Sequence, residues 1–278
     1  MNLLPPMSRH VHLISFVLLC ALSTGCFYGR PRIKQLGPDR ILTDAEVRKA
    51  EQKIIEADKA WAARVEPGNV QKSFDLLRES MKLAPHNTQA LWRAARACYW
   101  LAEQAGIAKD EKKQFSLAEI GASYAKHAIF VDTESDEGNY FLALNFAMQA
   151  DAAKSKGLAM IKPMLDALKR ANELNEQLDY AGPRRVMAQI YLEAPPWPTS
   201  VGDPEQAMEL LEDAIEDHPN YPENHLVLAE VAIKLRQYSR ARKQLDRVLA
   251  AQPAPDWAAE LPRWQEKARD LLKKLPQK

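Results

Sequence analysis

Cysteine is scarce in this chain. Only Cys20, Cys26 and Cys98 occur in 278 residues; Cys20 falls inside an N-terminal apolar run, and if that run is removed and Cys26 acylated, Cys98 has no partner and no disulfide framework exists. Glycine is scarce as well. Ten glycines against 46% hydrophobic residues point to helices rather than turn-rich sheet. Neither sign of charge is in excess: 38 Lys and Arg balance 37 Asp and Glu, leaving a formal net charge of +1. That removes the global electrostatic case for nucleic acid. The apolar run from Leu13 to Leu22 is too short to span a bilayer as a stable anchor. Catalytic signatures are missing too. There is no Gly-x-x-x-x-Gly-Lys phosphate cradle, no Gly-x-Ser-x-Gly elbow, no paired-histidine zinc helix and no Cys-x-x-Cys. No enzyme activity, cofactor or metal is expected.

What the chain does have is a repeat. Ala207 and Ala241 lie 34 residues apart, as do Leu211 and Leu245, Ala214 and Val248, and Pro219 and Pro253. That period, with small residues facing large ones and a proline closing each unit, is the tetratricopeptide signature. Asp203 before Pro204, with Gln206 three positions on, reads as an N-cap, a first-turn proline and a capping-box partner. Ala207, Leu210, Leu211, Ala214 and Ile215 mark one helix face; Leu228, Ala229, Ala232 and Leu235 mark the next; Ala241, Leu245, Val248 and Leu249 the third. Small residues at 207, 229 and 241 let helix axes approach closely, and neighbouring repeats must bury each stripe.

The pattern extends in both directions. Thr43-Asp44-Ala45-Glu46 is a capping box that opens a helix to about Val65, with Ile54, Ala57, Trp61 and Ala62 inward. A second helix starts at Asn69, with Phe74, Leu77 and Met81 inward, and a third runs from about Thr88 to Gln104 with Cys98 as a small core residue. The middle helices are longer, about 110–131, 136–153 and onward from Gly157. Another is expected over Tyr180 to Leu192. Trp257, Leu261, Trp264, Ala268 and Leu271 form a last stripe that caps the array, and Pro262 requires that helix to begin twice. The expected fold is all-α: a tetratricopeptide-like array of antiparallel helix pairs, a right-handed superhelix with elongated middle helices, over residues 43–278.

The N-terminus carries an address. Arg9 precedes the apolar run, which ends in Ser23-Thr24-Gly25-Cys26. This resembles the lipobox of bacterial lipoproteins, although Leu22 lies four rather than three residues before the cysteine. The resemblance implies a signal peptide over 1–25, lipidation at Cys26, and an anchor in the cell envelope. Phe27 after the cysteine implies the periplasmic face of the outer membrane. Residues 26–42, with Gly29, Pro31, Gly37 and Pro38, read as the lipidated cysteine and a flexible tether. Arg30, Arg32 and Lys34 could touch anionic headgroups; a solvated linker is the plainer reading.

A second resemblance rests on Gly182-Pro183-Arg184-Arg185-Val186-Met187-Ala188-Gln189-Ile190-Tyr191, Ala194-Pro195-Pro196, Gly202-Asp203 and Tyr221-Pro222-Glu223-Asn224-His225. From about Tyr180 to Leu249 the chain looks like the tetratricopeptide lipoproteins associated with tripartite ATP-independent periplasmic (TRAP) transporters, the T component. Eukaryotic regulators of microtubule dynamics share a related helical plan. The first resemblance implies lipid anchoring, a helical repeat domain and a possible ligand channel, with an envelope protein or transporter subunit as partner. Two functions stay open: a non-catalytic protein-interaction scaffold in an envelope assembly, or a holder or carrier of a small ligand. An open groove would favour the first, an enclosed pore the second. Candidate binding residues are Trp197, Tyr180 and His225. Trp197 sits in the stiff Pro195-Pro196-Trp197-Pro198 insertion and serves either a partner or the packing of its own helices.

Two metal-like patterns are weak. Asp132, Glu134 and Asp136 before Gly138 mimic a calcium loop, but the glycine is one residue late and the twelfth position is Ala143. His218, Glu223 and His225 cluster around a turn, where capping is the plainer role. Finally, the 203 helix is acidic (Glu205, Glu209, Glu212, Asp213, Glu216) and the 239 helix basic (Arg240, Arg242, Lys243, Arg247). The two charges either zip neighbouring helices together or present a bipolar docking surface.

Overall fold

A computed structural model describes residues 41–276, which belong to a single compact unit. Residues 1–40, where a signal peptide, lipidation at Cys26 and most of a tether are expected, lie outside the described residues. Eleven helices follow in order: α1 (Asp44–Ala62), α2 (Asn69–Leu83), α3 (Thr88–Ile107), α4 (Glu111–Val131), α5 (Asp136–Ala152), α6 (Gly157–Leu174), α7 (Gly182–Glu193), α8 (Pro204–Asp217), α9 (Pro222–Lys234), α10 (Tyr238–Ala250) and α11 (Leu261–Lys274), with a 3-10 turn at Lys154–Lys156. The fold is the all-α tetratricopeptide-like array that the 34-residue period implies.

Local chemistry starts the helices. The Thr43 hydroxyl accepts from the Glu46 N–H at 3.3 Å, and the Glu46 carboxylate accepts from the Thr43 N–H at 3.0 Å. The Asp203 carboxylate accepts from the Gln206 N–H at 3.0 Å ahead of Pro204. Asn87, Asp110 and Ser135 cap α3, α4 and α5 in the same way. Each such cap satisfies backbone donors that the first turn leaves free and contributes about 1 kcal/mol.

Packing then follows the small residues. Ala207, Ala229 and Ala241 are fully buried, as are the repeat-related Leu211 and Leu245, and Ala214 and Val248. Successive helices pack on each other, and α3 also meets α5, α7 meets α9, and α9 meets α11. One core runs from Tyr140 to Leu275; a second joins α1, α2 and α3 around Leu77, Ala94 and Cys98. At Gly121 α4 leaves room for the Asn145 side chain of α5: a Cβ there would lie 2.1 Å from the Asn145 Oδ1. Asn145 in turn donates to the Ala95 and Phe141 carbonyls at 3.1 and 2.7 Å.

Four expectations need correction. First, α1 ends at Ala62, and Ala62 is exposed; Ala60 is the buried residue of that turn. Second, α3 continues to Ile107. Third, Tyr180 lies outside a helix: Asp179, Tyr180 and Ala181 have φ of 48°, 56° and 63°, and α7 opens at Gly182. Fourth, residues 255–260 form turns rather than a first helix, after which Pro262 sits in the opening turn of α11. The expected α8–α10 charge zipper is represented by the ion pair of Arg240 with Glu212.

Candidate functional site

Helices in such an array turn one face to the core and, in alternate members, the opposite face inward. On α3 the small side chains Ala90, Ala94, Ala97 and Cys98 pack in the core. Trp92, Arg96, Tyr99, Trp100 and Glu103 recur at three- and four-residue steps on another face. On α5 the equivalent stripe is Glu137, Tyr140, Phe141, Leu144 and Met148. These stripes, with Trp61 of α1 and Arg64 just after it, Arg185 and Gln189 of α7, Glu223, Leu226 and Val227 of α9, and Glu260, Arg263 and Trp264 at α11, line one cavity of about 880 Å³. All six odd-numbered helices or their adjoining turns contribute. That volume lies within the range of small-ligand pockets.

The two ends of the array meet across this cavity. Arg64 donates from Nε and Nη2 to the two Glu260 carboxylate oxygens, both at 2.9 Å, and from Nη2 to the Asp256 carbonyl at 2.9 Å. Both side chains are shielded, 7% and 15% exposed. A forked, shielded pair of this kind is worth more than an ordinary surface bridge. Arg263 pairs with Glu103 at 2.8 Å, and the Tyr180 hydroxyl donates to the Asp256 carboxylate. These contacts bridge the rim of the cavity, which stays partly open to solvent.

Arg185 holds the wall between α7 and α9. It is 3% exposed and donates from Nη2 to Asp179 Oδ2 at 2.6 Å and from Nη1 to Asn224 Oδ1 at 3.1 Å; its Nε pairs with Glu223 at 3.0 Å. Nη1 also reaches the Asp179 and Tyr180 carbonyls at 3.1 and 3.3 Å. Those two bonds, with Asn224 Nδ2 donating to the Tyr180 carbonyl at 3.0 Å, hold the left-handed run. Left-handed backbone costs roughly 1–2 kcal/mol per non-glycine residue. Burial opposes the Arg185 charge, yet Glu223 and its other neighbours hold the guanidinium well above its usual range. Burial pushes the Glu223 carboxyl up, against the pull of Arg185.

The aromatics are stacked rather than scattered. Tyr180 lies on Tyr221 with ring centroids 4.5 Å apart and 7° between planes, with Trp257 edge-on at 5.4 Å. Trp92 is parallel to Phe141 at 6.0 Å. Arg96 sits with its guanidinium carbon 4.0 Å from the Trp61 ring centroid and 5.1 Å from that of Trp92. Burial lowers its pKa to about 9, with Asp58 pulling the other way. Burial, then Asp136, pushes Glu137 up to about 7.

Of the three sequence-predicted binding residues, Tyr180 lines the cavity. His225 is 2% exposed, with Nδ1 at 2.8 Å from Gln244 Oε1 and Nε2 at 2.7 Å from the Pro219 carbonyl. It ties α9 to α10 and to the preceding turn. Trp197 is 85% exposed and does not pack on its own helices. Its loop is cinched below by Gly202 N–H to the Pro195 carbonyl at 2.9 Å and Asp203 N–H to the Tyr191 carbonyl at 2.8 Å. A Cβ at Gly202 would lie 2.1 Å from the Ala194 carbonyl oxygen, so only glycine fits there. Cys98 is buried, and burial pushes its thiol up to about 12. Sequence reading missed Arg64, Arg96 and Arg185; the legible signal was the Trp92-to-Glu103 stripe beside the alanine face.

The metal-like patterns resolve into ordinary turns. The Asp132 carboxylate accepts from the Glu134 N–H at 3.0 Å, and Asp136 accepts from Asn175 at 2.7 Å. Among the described residues no three His, Cys, Asp or Glu side chains gather to hold a metal, and no helix is long and apolar enough to cross a membrane.

Comparison with known proteins agrees with the architecture. The tetratricopeptide repeat family matches residues 200–260, and the family of regulator of microtubule dynamics proteins 1-3 matches residues 56–180. No curated protein matches the chain. Among solved structures, a thermophilic tetratricopeptide protein of Thermus thermophilus superposes with a TM-score of 0.60 at 18% identity, covering 80% of this chain and 99% of its own. Pseudomonas aeruginosa pilF superposes with a TM-score of 0.55 at 14% identity, covering 83% of this chain and 93% of its own. Repeats of this type are generally non-catalytic and suggest a protein-interaction scaffold. Period, helix pairing and these matches concur on the architecture: the chain has a tetratricopeptide-like helical repeat fold, with a tetratricopeptide match over residues 200–260.

Proposed function

We propose that this protein is a lipid-anchored, non-catalytic binding protein of the bacterial envelope that holds a small ligand in its inner cavity and serves a TRAP-type transporter. The observation that carries the ligand reading is the Arg64–Glu260 clasp, which bridges the two ends of the array over a cavity of ligand size. The anchor rests on Ser23-Thr24-Gly25-Cys26, and the transporter link on the resemblance over 180–249. Native mass spectrometry of the chain released gently from cell envelopes tests the holding role. A bound small molecule is expected, and it should be weakened or lost on Met148→Trp, which crowds the apolar wall of the cavity; an empty wild-type protein argues against it. Metabolic labelling with a fatty-acid analogue tests the anchor: label is expected on wild type and not on Cys26→Ala, and equal label on both would overturn it.

A second reading, a scaffold for an envelope protein, is favoured by one observation. Trp197 stands 85% exposed on a loop whose prolines and cinched base leave little entropy to lose on binding. Trp197→Ala should shift the melting temperature by less than about 2 °C, as a surface change, while weakening capture of the envelope partner. Unchanged capture would remove this reading.

A further inference from the structure

The cavity wall carries five cations, and four are matched by acids. Arg64 has Glu260, Arg263 has Glu103, Arg185 has Asp179 and Glu223, and Lys267 has Glu230 at 2.7 Å. Arg96 is different. Its acid, Asp58, lies 3.5 Å from Nη2 and is shared with Arg93, which takes both of its oxygens at 3.0 and 3.1 Å. Two arginines thus draw on one carboxylate, and Nε of Arg96 is buried without an acceptor among the described residues. Only 19% of the Arg96 side chain is exposed, so bulk water screens this surplus charge poorly. The rings of Trp61 and Trp92 hold the guanidinium in place. Beside it, Trp100, Phe141, Leu144 and Met148 offer an apolar surface.

We infer that the cavity takes a singly charged organic anion with a flat or otherwise apolar body, its acidic group set against Arg96 and its body against the Trp100, Phe141, Leu144 and Met148 wall. This inference rests on the ligand-holding reading and adds the ligand's chemical class. A planar guanidinium recognises a carboxylate through paired donors in a way a lysine cannot. The Arg96 Nε without an acceptor, and an Asp58 shared with Arg93, leave room for one negative charge at that point of the wall. A dianion would leave its second charge facing the other acids of the wall, Glu103, Glu137, Glu223, Asp256 and Glu260. A cation would meet Arg96 unshielded.

Two isosteric probes separate charge from shape: 2-naphthoate and the neutral 2-naphthamide, titrated calorimetrically into the full chain. Naphthoate is expected to bind wild type at least about tenfold tighter than naphthamide, the increment of one charge-assisted hydrogen bond. Arg96→Gln should bring the two to within about twofold, and Arg96→Lys should recover only part of the difference. Asp58→Asn removes the competing acid and should tighten naphthoate alone; it keeps the assignment testable if Arg96→Gln does not fold. Naphthoate binding that survives Arg96→Gln unchanged, or Asp58→Asn without a gain, overturns the assignment. So does equal affinity of wild type for the two probes, or binding of neither. Those results leave the holding reading standing if native mass spectrometry still finds a ligand that Met148→Trp displaces.

Discussion

At the scale of single residues, Arg185 joins two helices and a turn. It ties α7 to the preceding turn through Asp179, to α9 through Asn224 and Glu223, and lies 4.9 Å from the centre of the Tyr221 ring. Removing a buried charge while leaving its partners is costly, because the acids lose their counter-charge in a poorly solvated site. Arg185→Met should therefore destabilise the fold by about 3–5 kcal/mol and release Tyr180 from its stack, seen by urea unfolding and near-ultraviolet circular dichroism. A loss below about 1 kcal/mol would mean that the site relaxes around the gap. Nothing in the local sequence marks Arg185 apart from Arg184 beside it, which pairs with Asp217 on a more open face. The difference is made by Asp179 and Glu223, and Glu223 is 38 residues away in the chain.

Single helices show what a sequence can and cannot carry. Ala207, Leu211, Ala214 and their partners one period later were legible as core because helix periodicity and the repeat agree on them. Caps at Thr43 and Asp203 were legible because they depend on residues three positions apart. Ala62 was misplaced because α1 stops there, and the chain then turns to bring Arg64 to Glu260. Tyr180 was assigned to a helix because its propensity is unremarkable; the left-handed run is imposed by Arg185 and Asn224, distant partners that no local pattern reveals. Helix facing has a direct test in α10. Ala241 is fully buried, and Ala241→Arg should cost several kcal/mol through overpacking and an unpaired charge. Arg240→Ala, one residue away and part of a largely exposed pair, should cost under about 1 kcal/mol. Thermal melts of the two variants read the contrast, and similar values would mean the helix is rotated from its described face.

At the scale of the whole array, the clasp decides what the helices enclose. Arg64→Met leaves Glu260 without its cation, and both arms of the forked bond are lost. The expected result is a loss of roughly 1–3 kcal/mol and faster exchange of backbone amides in α11, read by hydrogen–deuterium exchange. A change confined to α1 would show that the clasp does not hold α11. An open array of repeats frays from its terminal units, because each end has a neighbour on one side only. Here residue 64 grips residue 260, across 196 positions of chain, so neither end is a free terminus in that sense. Separating the first helix exposes the last, and unfolding should lose its stepwise character and approach a single cooperative transition, unlike that of a linear solenoid of equal length.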